Sequence, residues 1–296
     1  MKVRVSALFM LMQGLLSWPV AGQSLQSYYV QSRCEHFGSV QSSELMQARK
    51  VFTSSLRADN LDSPELAAAW HALGFEWVHL ARPEGDFWIA SELNNSCRGR
   101  GFYAFSSDKR RHSVLQAPHR YMDRDTGTIA LKLANTNSFR AIAWNTAPRR
   151  IESEQGLQDA DLAHRWDSYF VAFTEAFASV LPRGRLIQLH GFAAKKRKTA
   201  EAVGANIIVS AGSHWPTAEV RRVSTCLSAE FPSSVRLFPR DISELGATRN
   251  MQGRLLRGLG HNGFVHVELS DSLRNELGDD AESLQRLCYC FTEEGL

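Results

Sequence analysis

Residues 186–192 read LIQLHGF, an apolar run that ends in His190 and Gly191. Leu186, Ile187 and Leu189 give it the near-continuous apolar character of a strand covered on both faces of a sheet. A histidine where such a strand stops is either a satisfied core residue or part of a site, and the neighbouring runs decide which reading fits. SVLQAPH (113–119), FRAIAWN (139–145), NIIVSAG (206–212), VRLFP (235–239) and FVHVELS (264–270) have the same strand-like character. Helix candidates at about 128–136, 160–180, 216–230 and 250–259 alternate with them. Strands alternating with helices predict an α/β fold, with three α/β/α layers around a mostly parallel mixed sheet.

Upstream the rhythm differs. Helices are predicted over 44–57 and 64–73, the second opened by Ser63 as N-cap, Pro64 at the first helical position and Glu65 in the first turn. FEWVHL (75–80) and DFWIASEL (86–93), separated by ARPEG, and then GFYAFS (101–106), predict antiparallel strands. Residues 24–105 are therefore expected to form a small α+β elaboration packed on a main domain of 106–296. No internal repeat, low-complexity tract or long linker interrupts either part.

The first 23 residues carry Lys2 and Arg4, an apolar run from Val5 to Trp18, and small residues around Ala21 and Gly22, which is the order of a secretory signal. Gln13, Gly14 and Pro19 break a run already short for a membrane anchor. The expected mature protein is periplasmic or secreted, with no transmembrane anchor. Processing removes Lys2 and Arg4 and no acid, so the net charge of +3 falls to +1. That balance argues against a nucleic-acid partner held by counterion release. DKRRH (108–112) and KKRK (195–198) read as solvated loops, although the second follows His190 closely enough to sit at the mouth of a site and attract an anion. With 44% hydrophobic and 22% charged residues the chain has ample material for a core, and disorder does not dominate.

Five cysteines, Cys34, Cys97, Cys226, Cys288 and Cys290, lie beyond the signal, and an odd count leaves at least one outside any disulfide within the chain. Spacing does not give their connectivity. Joining Cys34 to Cys97 is one pairing, and it would tie the N-terminal region down. CYC at 288–290 has too few intervening residues for a zinc loop.

In open α/β sheets, ligands sit beyond the carboxyl ends of the strands. The polar residues at or near the ends of the apolar runs are His119, Asn145, His190 and Glu268. APHRYMDRDTG (117–127) adds Asp123, four residues after His119, and Asp125 two further on. Zinc takes imidazole and carboxylate ligands, and a catalytic zinc has three of them with one position left to water. His119, Asp123 and His190 supply such a set, with Asp125 the alternative acidic ligand. Glu268 interrupts an alternating apolar strand and has His266 on its own face. A charge buried there needs either a partner, such as Arg274, or a task, such as general base toward zinc-activated water.

The succession PHRYMDRDTG, AWNTAPRR, DLAHRWDSYF, IQLHGF and FVHVELSDSLR, spanning roughly 114–277, resembles the zinc-dependent amidohydrolases related to N-formylglutamate amidohydrolase. It is more remotely similar to the N-acetylmuramoyl-L-alanine amidases and zinc carboxypeptidases. The resemblance implies a phosphorylase/hydrolase-like three-layer fold, His119 and His190 as zinc ligands, Asp123 as the acidic ligand and Glu268 as the base. It also turns His164 toward substrate. The H-x-x-E of the carboxypeptidases and the G-H-G-G loop of the muramoyl-alanine amidases are absent.

Asp161, His164 and Asp167 recur at helical spacing in the helix expected at 160–180, where they read as a solvated face. Arg149 or Arg150, just past the strand ending at Asn145, suits a substrate carboxylate, because a guanidinium grips one bidentately. There is no G-x-S-x-G elbow, no P-loop and no G-x-G-x-x-G after a strand. The expected function is a secreted zinc hydrolase that cleaves an amide in an N-acyl amino acid or cell-wall peptide, with Glu268, Arg149 and His164 about the reacting group. The alternative is a non-catalytic binding protein on the same fold that engages a glycan or a protein through aromatics such as Trp77, Phe87 and Trp88.

Overall fold

The computed structural model describes residues 24–93, 97–153 and 156–292, and the signal segment expected at 1–23 lies outside them. Its chain order opens with α1 (Leu25–Gln31), α2 (Ser42–Arg57), α3 (Pro64–Ala72), β1 (Phe75–Leu80), β2 (Phe87–Glu92) and β3 (Phe102–Ser106). Next come β4 (Ser113–Ala117), α4 (Thr126–Ala134), β5 (Ala141–Trp144), the antiparallel pair β6 (Arg150–Ser153) and β7 (Gly156–Asp159), α5 (Tyr169–Val180) and β8 (Arg185–Phe192). The remainder is α6 (Ala200–Val203), β9 (Ile207–Ser210), α7 (Ala218–Glu230), β10 (Val235–Leu237), α8 (Met251–Gly258), β11 (Phe264–Ser270), α9 (Asp271–Asp279) and α10 (Ala281–Phe291).

Nine of these strands form one sheet in the order β1-β2-β3-β5-β4-β8-β11-β9-β10. The four central strands, β5, β4, β8 and β11, are parallel, as expected of runs with no polar face. β1, β2 and β3 run antiparallel and join the same sheet where β3 pairs with β5. On the other side β9 runs antiparallel to β11, and β10 is parallel to β9. Helices cover both faces, so the α/β sandwich read from the alternation is present.

Strand periodicity sorts the central side chains between two cores. Ile187 and Leu189 of β8, with Val265, Val267 and Leu269 of β11, pack toward α4, α7, α9 and α10. Leu186 and Phe264 face the other way, toward α2, α5 and α8. Because side chains alternate, Gln188, His190, His266 and Glu268 share the face of Leu186 and Phe264. That second core is aromatic: Phe52 meets Trp70, Tyr103 and Phe173 edge-on, with ring centroids 5.2, 4.7 and 5.4 Å apart.

The helix expected from 160 starts only at Tyr169. Ser168 is extended, with φ −136° and ψ 153°, and its side chain accepts from Val171 N, an N-cap that stabilises a helix by about 1 kcal/mol. Upstream, the loop answers its polar backbone groups by other means, since Asp161 Oδ1 accepts from Ala163 N and the Ala163 carbonyl accepts from Met251 N. Asp161, His164 and Asp167 therefore do not line a helix face.

Two disulfides occur among the described residues, Cys34–Cys97 and Cys226–Cys290, with Cα–Cα separations of 5.8 and 5.5 Å. The first is the pairing considered from the sequence. Closing loops of 63 and 64 residues restrains the unfolded chain by about 4 kcal/mol each. Cys288 belongs to neither, and its Sγ lies 3.3 Å from Thr136 Oγ1.

Candidate metal centre

The parallel register sets Glu268 of β11 beside His190 of β8, and His266 beside Gln188. Four polar side chains thus form two adjacent rows at the carboxyl end of the sheet, where β4 also delivers His119 after Pro118. The turn after β4 closes with Asp123 N donating to the His119 carbonyl at 2.9 Å, which folds the Asp123 side chain back toward the sheet. His119, Asp123 and His190 are all buried, with 4%, 9% and 5% of their surface exposed.

Asp123 Oδ2 lies 3.2 Å from His119 Nδ1 and 3.3 Å from His190 Nδ1, and the three donor atoms are within 4.8 Å of one another. A tetrahedral ion with ligands at about 2.0–2.2 Å places neighbouring ligand atoms about 3.3–3.5 Å apart, so two edges fit closely. The outer nitrogens are already engaged. His119 Nε2 meets Asp161 Oδ1 at 2.7 Å, and His190 Nε2 meets Gln188 Oε1 at 2.9 Å. Such outer partners hold a ligating imidazole in one tautomer and orientation. With its proton spent on Gln188, a neutral His190 turns a bare Nδ1 lone pair toward a carboxylate oxygen, an arrangement that a cation between them would stabilise. Gly191 N donates to the same Asp123 oxygen at 3.2 Å and steadies it.

Electrostatics follow the same geometry. Burial pulls His119 down, but the carboxylates of Asp123 and Asp161 outweigh it and raise its pKa to about 9. Burial acts upward on both aspartates and is overcome by their histidine partners, so each stays well below the usual carboxylate range. His190 and His266 are lowered, chiefly by burial. Glu268 goes the other way: burial, reinforced by the charge of Asp123, pushes its carboxyl up to about 8.

Glu268 does not pair with Arg274. The Arg274 Nη1 instead donates to the carbonyls of Leu269 and Phe192, and its guanidinium passes over Gly191. A Cβ at 191 would stand 2.6 Å from that Nη1, so a side chain there would press on the guanidinium. His266 Nε2 is 3.7 Å from Glu268 Oε1, beyond hydrogen-bond reach, and its buried Nδ1 has no partner among the described residues.

These groups open into a cavity of about 580 Å³. Its walls include His119, Asp123, His190, Glu268, Arg149 and His164, whereas Asn145 is not among the lining residues. Arg150 belongs to β6 and is not among the lining residues; nor is Asp125, which pairs with Arg124 at 3.1 Å. Lys196 and Arg197 of the KKRK run do line it, as do Arg124, Arg249 and Arg274, so the cavity is strongly cationic around its acidic centre. Asp161 is the correction. Expected on a solvated face, it turns inward to His119 and also meets His164 Nδ1 at 3.2 Å. Gln188 and His266 were unassigned too, although an amide and an imidazole in buried strands already demand partners. Of the aromatics considered as a binding platform, Phe87 is buried in the core, whereas Trp77 and Trp88 are half-buried, with Trp77 stacked between Trp70 and Trp88.

No protein-family model matches the chain, and no curated protein does. Several solved structures are similar. One is N-formylglutamate amidohydrolase from Ralstonia eutropha, at 13% identity over 62% of this chain and 93% of that one, with a TM-score of 0.40. A bacteriophage poly-gamma-glutamate hydrolase is 11% identical over 62% of this chain and 84% of its own, with a TM-score of 0.36. A protein of Shewanella denitrificans assigned as a carboxypeptidase A is 9% identical over 75% and 64%, with a TM-score of 0.39. All three are hydrolases by description.

Proposed function

We propose that this chain is a zinc-dependent hydrolase that cleaves an amide bond in an N-acyl amino acid or a cell-wall peptide, in the periplasm or outside the cell. The observation that carries this reading is the pair of Nδ1 atoms facing one oxygen of Asp123 at tetrahedral spacing, with both outer nitrogens engaged. Two imidazoles and one carboxylate suit zinc better than the hard oxygen-seeking cations. Zinc bound there supplies a Lewis acid that polarises a carbonyl and makes water more acidic.

The chain's own residues supply the rest. Glu268, raised by burial, is placed to take a proton from water and return it to the leaving amine. Arg149 on the cavity wall holds a substrate carboxylate, and His164 contacts the substrate at the rim. Two disulfides support an oxidising compartment, and no helix among the described residues is long and apolar enough to cross a membrane.

Elemental analysis of the mature protein beside His119→Ala and His190→Ala tests the metal, with circular dichroism as the folding control. The expected result is near-stoichiometric zinc in the parent and loss in both folded variants. A panel of N-acyl amino acids and cell-wall peptides then tests the reaction by release of free amine. A parent that binds no zinc after reconstitution refutes the proposal.

A further inference from the structure

Behind His190 the sheet buries a group of side-chain amides. Gln116 of β4, Gln188 of β8 and Gln252 of α8 are fully buried, and Asn250, the N-cap of α8, is nearly so. An amide donates at one end and accepts at the other, so its orientation follows from what its neighbours offer. Three separate chains of bonds end here on groups of fixed polarity. Gln252 Nε2 donates to the Leu162 carbonyl at 2.9 Å, which leaves Gln252 Oε1 to accept from Gln188 Nε2 at 3.3 Å. The Thr174 hydroxyl donates to the Phe170 carbonyl at 2.7 Å, so its oxygen accepts from Gln116 Nε2 at 3.3 Å, and Gln116 Oε1 accepts from Gln188 Nε2 at 2.8 Å. Asn250 Oδ1 accepts from Gly253 N at 3.0 Å, which commits its Nδ2 to donating to Gln188 Oε1 at 2.5 Å. All three chains turn the Gln188 carbonyl toward His190.

We infer that this network sets the tautomer of His190: Gln188 Oε1, 2.9 Å from His190 Nε2, accepts only from a protonated nitrogen and so leaves Nδ1 as the lone pair aimed at Asp123. Gln188 is a positioning residue that acts through His190, and Gln116, Gln252 and Asn250 hold it in place. Both donors and both lone pairs of Gln188 are used, so a flipped amide would set its oxygen against two acceptors and its nitrogen against a donor. The tautomer follows from protein bonds alone. Its effect on metal affinity rests on the zinc site proposed above.

The test is nuclear magnetic resonance of the metal-free mature protein with isotope-labelled histidine, at about pH 9, above the ordinary imidazole range. His190 is identified by the signals lost in His190→Gln. The expected parent spectrum has the His190 proton on Nε2 and none on Nδ1. Gln188→Met releases that preference and weakens zinc binding, measured by chelator competition, by about 10- to 100-fold. A proton on Nδ1 in the parent overturns the inference, as does an unchanged tautomer in folded Gln188→Met. If the methionine variant does not fold, the parent spectrum decides. A parent with the expected tautomer that binds no zinc supports the network and refutes the metal reading instead.

Discussion

Replacing Asp161 separates two effects that one carboxylate has on His119. Its Oδ1 accepts from His119 Nε2 at 2.7 Å, a charge-assisted bond worth about 1.5–3 kcal/mol when its acceptor is ionised and about half that when neutral. Loss of the bond in Asp161→Ala should therefore weaken zinc binding by roughly 10- to 150-fold, and Asp161→Asn, which can still offer a neutral oxygen, by roughly 4- to 13-fold. The same carboxylate also helps to raise the pKa of His119 to about 9, so at neutral pH a proton competes with the metal there. Removing Asp161 relieves that competition, which opposes the loss and can offset up to about two decades of it at pH 7. The deficit of the alanine variant should thus be largest near pH 9 and shrink toward pH 7. Chelator competition at both pH values, with circular dichroism on each variant, reads it directly. Alanine and parent affinities within about threefold at pH 9, where a lost outer partner should cost at least tenfold, would refute the reasoning.

Glu268→Gln should lower turnover of any amide substrate by about 10²- to 10⁴-fold while zinc content is unchanged, and metal loss in that variant would make Glu268 a ligand rather than a base. The metal-free protein should lose stability as pH rises from about 6.5 to 9. His119, raised from 6.5 to about 9, stabilises the fold fully below 6.5 and no longer does so above 9, and Glu268, raised from 4.5 to about 8, acts in the same direction as it ionises. The decline, on the order of a few kcal/mol in urea unfolding, should largely vanish in zinc-loaded protein, and a rise over that range would contradict it. Gly191→Ala places a Cβ 2.6 Å from Arg274 Nη1 and should destabilise by about 1–3 kcal/mol. In an Arg274→Ala background that penalty should disappear, and a full penalty there would show that the backbone, not the guanidinium, sets the limit.

The strands were the most legible part of the chain. FEWVHL is β1 residue for residue, and LIQLHGF lacks only Arg185 of β8, because fully buried strands leave a signal that turns on both sides bound. Helices at 64–73 and 216–230 were close, the first capped by Ser63 as read and the second by Thr217, whose side chain accepts from Val220 N. The 160–180 segment misled because its spacing fits a helix, while the bonds that hold 161–168 out of one come from α8 and from Asp161 itself. No local pattern records a partner 88 residues away in sequence, as Met251 is from Ala163. His119, Asp123, His190 and Glu268 could be read because each interrupts or follows an apolar run. Asp161 could not, since its role exists only once the loop is folded against β4. The helices α9 and α10 and the β6–β7 pair went unassigned, although α10 is strongly amphipathic.

The sheet is not built in the order in which its strands are synthesised. Among the described residues β11 is the last strand in chain order, yet it lies between β8 and β9. Until residues 264–270 leave the ribosome, β8 keeps an open edge of unpaired backbone groups beside two hydrophobic faces, the surface on which nascent chains stick to one another. A chain cut short before Phe264 would not be a protein missing its rim. It would be split through its middle, with β9 and β10 cut off from the strands that carry His119 and His190. The strand at 264–270 is the keystone of the sheet, and a stop codon ahead of it divides the structure.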